Sequence, residues 1–134
     1  MSLDTLLQKA EENFKTAEWA EKKNYFDAAV SRYYYYVFEK IIYISKKQGF
    51  YKKPVKNYNS HTDTIKNFSK SLENKLTEDE IVILSNINKL RIERKKSDYK
   101  ERKIVDLNEF NLKFKDRFNP IRNVLEKLLE EEKA

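Results

Sequence analysis

The segment Leu90 to Lys103, LRIERKKSDYKERK, gathers the side chains best suited to hold an anion. Seven of its fourteen residues are Lys or Arg, against three acids. On a helix Arg91, Arg94 and Asp98 stand at i, i+3 and i+7 and share a face, and Arg94 with Asp98 makes an i,i+4 ion pair. As a surface bridge such a pair contributes only about 0.3 to 0.5 kcal/mol. Arg94, however, occupies the next place on an apolar stripe formed by Ile83, Ile87 and Leu90. A guanidinium half-buried there, held by Asp98 with Tyr99 alongside, is a preorganised fork for phosphate oxygens, and it stays charged at any working pH. The competing expectation is structural: Arg94 and Asp98 tie the end of this helix to a neighbour. Lys95 adds to the same basic segment.

Three other features carry chemistry. Arg32 interrupts a helix otherwise committed to the interior, and Tyr33, Tyr34, Tyr35 and Tyr36 follow it directly. Four successive tyrosines point phenols in every direction. Most are expected in the core with partnered hydroxyls, while Tyr34 and Tyr35 are candidates to line a groove on which a base stacks. The segment GFYKKPVKNYNS, with Lys46 and Lys47 just before it, forms a second basic cluster in which Lys52 and Lys53 are candidate phosphate contacts, although a solvated connection explains it more simply. His61 is the only histidine. It suits a general base, yet a lone His at a helix start more often packs or caps.

The elements that position these residues read as helices throughout. Asn24 to Ser45 is the most apolar and aromatic run, with Phe26, Ala29, Tyr33, Val37, Ile41 and Ile44 on one line and Val30, Tyr34, Phe38 and Ile42 on another. A helix apolar on more than one face is surrounded by other helices. The first helix starts at Ser2 or Asp4 and runs to about Lys22, with Leu3, Leu6, Leu7, Ala10, Phe14 and Ala17 inward and Trp19 beside the stripe. The short junction at Lys23-Asn24 makes the first two helices an antiparallel hairpin. Gly49 suits the left-handed residue that ends the second. Ser60 and Asp63 open a short third helix with Ile65, Phe68 and Leu72 inward, and Thr77 with Glu80 forms a capping box for a fourth that runs through Arg94. Asp106 and Glu109 start the last, on which Leu107, Phe110, Phe114, Phe118, Ile121, Leu125 and Leu128 continue. Pro120 should kink it or split it after Phe118.

A chain of 134 residues with one Gly, two Pro and no Cys fits a single all-α domain over residues 1–134: an up-and-down bundle of four long helices plus one short helix. The lack of cysteine excludes a disulfide framework and thiolate chemistry, and it suits a cytoplasmic protein. No second histidine and no converging carboxylates accompany His61, so neither a metal nor another cofactor is expected. Walker and nucleophile-elbow motifs are missing. The formal net charge of +6 allows a polyanionic partner. Neither a leader nor a membrane span is expected.

Three segments in order, FDAAVSRYYYYVFEKI, SHTDTIKNF and LRIERKKSDY, resemble the HEPN superfamily, nearest to a small, largely uncharacterised prokaryotic branch. That resemblance implies a bundle of four or five helices, often a homodimer, with an RNA-directed cleft where the polar motifs of two subunits meet. It further implies a toxin-antitoxin or antiviral defence setting, with a cognate antitoxin, a nucleotidyltransferase or another defence subunit as partner. Active members cut RNA without metal, using an Arg and a His separated by four to six residues. Carried over, Arg94 is the motif Arg, with Arg91, Asp98 and Tyr99 its neighbours. The His position then falls at Tyr99, Lys100 or Glu101, or, counted from Arg91, at Lys96, Ser97 or Asp98, and none is His. The expectation is therefore an RNA- or partner-binding domain with an incomplete ribonuclease motif, its footprint Arg32, Arg91, Arg94, Lys95, Lys52 and Lys53. The alternatives are a metal-independent ribonuclease toxin with Arg94, Asp98, Tyr99 and His61 as its active constellation, and a structural helical adaptor.

Overall fold

The structure, a computed structural model, describes residues 2–53, 60–99 and 103–133. Pro54, Lys56, Lys100 and Arg102, which belong to the two basic segments, lie outside the described residues. Five helices follow one another: α1 (Leu3–Lys22), α2 (Phe26–Lys47), the shorter α3 (Ser60–Leu72), α4 in two rods (Glu78–Leu84 and Ile87–Asp98), and α5 (Leu107–Phe110 continuing through Asn111–Lys115 into Asp116–Lys133). No strand occurs among the described residues. No described helix is long and apolar enough to cross a membrane.

Local chemistry sets these boundaries. The Ser2 hydroxyl accepts from the Thr5 amide at the start of α1. At its end Asn24 adopts φ 62°, where Asn is among the residues that tolerate left-handed backbone, and the Tyr25 amide reaches back to the Ala20 carbonyl at 2.8 Å. Gly49 closes α2 in the same manner, with φ 81° and the Phe50 amide on the Ser45 carbonyl. Thr77 and Glu80 form the complete capping box that opens α4.

The fourth helix is not one rod. Ser85 and Asn86 interrupt it, and the Ser85 hydroxyl donates to the Val82 carbonyl, the kind of local bond with which short polar side chains compete against helical winding. In α5, by contrast, Pro120 causes no split. It is carried inside Asp116–Lys133, and the irregular winding lies upstream at Asn111–Lys115, where the Asp116 amide bonds back five residues to the Asn111 carbonyl. An interior proline costs about 3 kcal/mol. The flanking side chains Phe118, Ile121, Leu125, Leu128 and Leu129 are all buried, at roughly 1.5 to 3 kcal/mol each, so the helix persists.

Helix α2 is the hub, packed against α1, α3, the second rod of α4 and α5. Both of its apolar lines are used: Ala29, Val30, Tyr33, Tyr34, Tyr36, Val37, Ile41 and Ile44 are buried. On the α5 side, Tyr33 and Tyr36 join Phe14, Phe114 and Phe118 in one aromatic cluster, with Tyr33 and Phe118 centroids 4.6 Å apart. Polar ties cross it. Tyr33 donates to Glu21 at 2.8 Å and Tyr36 donates to Glu126. Lys40, only 3 % exposed, reaches Glu11 at 3.0 Å and Glu126 at 3.4 Å, joining α1, α2 and α5. Trp19 is 55 % exposed and meets Tyr25 edge-on at the hairpin end, so it stands at the margin of the core.

Candidate functional site

Arg94 lies where α2, α3 and α4 meet. Along the second rod of α4 the buried positions are Ile87, Leu90, Arg94 and Ser97, so helical periodicity itself carries the guanidinium inward. The head sits over the Tyr34 ring at 5.2 Å and the Tyr35 ring at 5.4 Å. Its Nη1 donates to Asp98 Oδ2 at 3.3 Å, while its buried Nε has no hydrogen-bond partner among the described residues. A charge-assisted bond is usually 2.7 to 2.9 Å. The Asp98 contact is thus loose, and the cation is stabilised chiefly by two aromatic faces, an arrangement worth about 0.5 to 2 kcal/mol per face. A guanidinium held in this way keeps spare donor capacity.

His61, in the first turn of α3, closes the third side. Its ring stacks on Phe38 at 4.0 Å and 9°, and Nδ1 lies 2.8 Å from the Tyr34 hydroxyl. Burial pushes the Tyr34 phenol above its ordinary range, although the Arg94 and Arg91 charges pull the other way, so the phenol is protonated at neutral pH. The Tyr34 hydroxyl and His61 Nδ1 thus share one hydrogen bond, whichever tautomer the imidazole adopts, and Nδ1 is occupied by it. Burial, and after it the charges of Arg94, Arg91 and Lys95, lower the His61 pKa from 6.5 to about 4.

The chain matches no family model, no curated protein and no solved structure.

The depressed His61 pKa has a measurable consequence. As pH falls, the unfolded chain takes up the imidazole proton near 6.5 while the folded protein resists until about 4, so this group withdraws stability across that window on acidification and none above it. Because His61 is the only histidine, its NMR resonance is unambiguous. A titration midpoint near 4, with stability lost on going from about pH 6.5 downward and His61→Gln flattening that slope, is the expected result. A midpoint near 6.5 would mean an exposed ring outside the cluster.

Of the residues singled out from the sequence, Arg94, Asp98, Tyr34, Tyr35 and His61 come together, and Arg91 and Lys95 contribute charge to the same place. Arg91 is partly buried and bonded to Asn88 at 2.8 Å, while Lys95 is exposed. Tyr99 is 78 % exposed at the end of α4, outside these contacts. Lys52 and Lys53 are exposed in the segment after α2. Arg32 is turned to the α1 side, where its Nη1 donates to Asn13 Oδ1 at 3.0 Å and Asn13 Nδ2 in turn donates to Glu39 Oε1 at 2.7 Å. These three line a groove of about 310 Å³ together with Lys9, Glu12 and Tyr35. Asn13 and Glu39 were not expected as site residues. The available signal was spacing: Arg32, Tyr35 and Glu39 lie on one face of α2.

Proposed function

We propose that this protein is a HEPN-type RNA-binding domain that holds single-stranded RNA by its phosphates at the Arg94 cluster without cutting it, in a prokaryotic defence or toxin-antitoxin setting, with a second copy or a cognate protein as partner. The observation that carries the reading is the state of Arg94: desolvated against Tyr34 and Tyr35, loosely bonded to one carboxylate, and left with a buried Nε that has no partner among the described residues. Arg91 and Lys95 add positive charge, and Asp98 supplies the nearby carboxylate. Such a locus favours an anion with oxygens to spare.

Proton transfer is where the cluster is weak. Cleavage through the RNA 2′-hydroxyl needs one group that accepts a proton and another that donates one, each with a pKa near the working pH. His61 titrates near 4 with Nδ1 occupied by Tyr34, and the Tyr34 phenol is held above its ordinary range. Neither is poised for the task. A metal-independent ribonuclease is the second reading, favoured by one observation: α3 brings an imidazole to Arg94 from outside the α4 motif.

The test is titration of a fluorescent oligouridylate by the purified protein at increasing salt. With Arg91, Arg94 and Lys95 as phosphate contacts, log affinity falls against log salt with a slope of roughly −2, at about 0.7 per phosphate neutralised on a single strand. The RNA stays intact during prolonged incubation with EDTA. No binding at low salt would overturn the reading, and EDTA-resistant cleavage would replace it with the second.

A further inference from the structure

The groove between α1 and α2 shares a wall with the Arg94 cluster. Tyr35 lies under the Arg94 guanidinium and also lines the groove. The groove differs in electrostatics from the cluster. Lys9 and Arg32 are balanced there by Glu12 and Glu39, so it offers no net charge to a phosphate. It offers alternating hydrogen-bond character along one face of α2: the Arg32 donors, the flat Tyr35 ring, then the Glu39 acceptor two turns from Arg32. At about 310 Å³ it stands at the lower end of small-ligand pockets, suited to one flat heterocycle rather than a whole nucleotide.

We propose that this groove is a nucleobase subsite selective for guanine, adjoining the phosphate site at Arg94; the inference rests on the RNA-binding reading above. Guanine alone among the common bases presents two adjacent donors, N1–H and the N2 amino group, on one edge and two acceptors, O6 and N7, on the next. Arg recognises O6 and N7 as a fork, and a carboxylate is an acceptor-only partner for the donor edge. Adenine and cytosine bring a single amino group to Glu39, and uracil meets a carboxylate with carbonyls on both sides of its one N–H. Asn13 holds both recognition groups in place, bonding Arg32 through its oxygen and Glu39 through its nitrogen. Burial raises the Glu39 pKa above the usual carboxylate range, opposed by the Asn13 bond and the Lys9 and Arg32 charges, and the same partial desolvation strengthens any bond it makes. Tyr35 is the wall common to both, so a base in the groove and a phosphate at Arg94 can belong to one strand.

Fluorescence anisotropy with two single-stranded probes tests this: oligouridylate, and the same strand with one central guanine. The guanine probe binds about tenfold more tightly, the discrimination of one good base contact. Glu39→Gln, which keeps an oxygen for Asn13 but cannot accept from both guanine donors, brings the ratio of the two affinities close to one. Substituting adenine for the guanine does the same. Equal affinity of both probes for the unmodified protein would overturn the guanine subsite while leaving phosphate binding at Arg94 intact. Failure of both probes to bind would remove the RNA reading and the subsite with it. A guanine preference that survives Glu39→Gln would locate base recognition elsewhere and overturn the assignment.

Discussion

Arg94→Ala weakens oligouridylate binding by about ten- to a hundredfold. The variant loses hydrogen bonds from a charged donor, worth about 1.5 to 3 kcal/mol together, and each 1.4 kcal/mol is tenfold in affinity. Arg94→Lys retains the charge but not the planar fork, and it recovers only part of the loss. The guanidinium is buried over Tyr34 and Tyr35, so the substitution must be shown to act on binding rather than on folding. Far-ultraviolet circular dichroism supplies one control. His61 supplies a sharper one: Arg94 is among the charges that depress its pKa, so in a folded Arg94→Ala protein the imidazole titrates above the unmodified value of about 4 while remaining bonded to Tyr34. RNA affinity unchanged in a folded variant would show that the anion site is elsewhere.

Phe118→Ala removes about 3 to 5 kcal/mol of stability, a large part of the 5 to 15 kcal/mol typical of a domain. Phe118 has no exposed surface and touches the rings of Phe14, Tyr33, Tyr36 and Phe114, which come from three helices. Truncation leaves a cavity that close-packed rings cannot collapse to fill. Leu112→Ala on the same helix is the internal comparison: Leu112 is 63 % exposed, and its loss stays within about 0.5 kcal/mol. Urea unfolding of both variants checks the contrast, and a Phe118→Ala cost near that of Leu112→Ala would contradict the packing described.

The bundle was legible because its signals are local and redundant. Buried Phe26, Val37, Ile41 and Ile44 follow the spacing of α2, and the Thr77–Glu80 box and Gly49 mark boundaries where expected. The break at Ser85-Asn86 was not legible, since an apolar stripe continues across it while the Asn86 amide turns back only three residues, to Ile83. Nor was the carriage of Pro120 inside α5, which depends on burial energy summed over the whole helix. At the candidate site, Arg94 was visible as a cation on an apolar stripe, and the structure buries it beside Asp98. The approach of His61 was hidden, because α3 and α2 meet only through tertiary packing. The burial of Lys40 was hidden for the same reason: its carboxylate partners come from α1 and α5.

The widened turn at Asn111–Lys115 is equivalent to one surplus residue wound into a helix. Losing a residue elsewhere in α5 would swing one part of the helix about 100° against the other and turn Phe110 or Ile121 away from the interior. Losing one within the turn would restore ordinary winding and leave both flanks aimed as they are. The last helix thus contains a single place where its length can change by one without misdirecting the aromatic face that clamps the bundle.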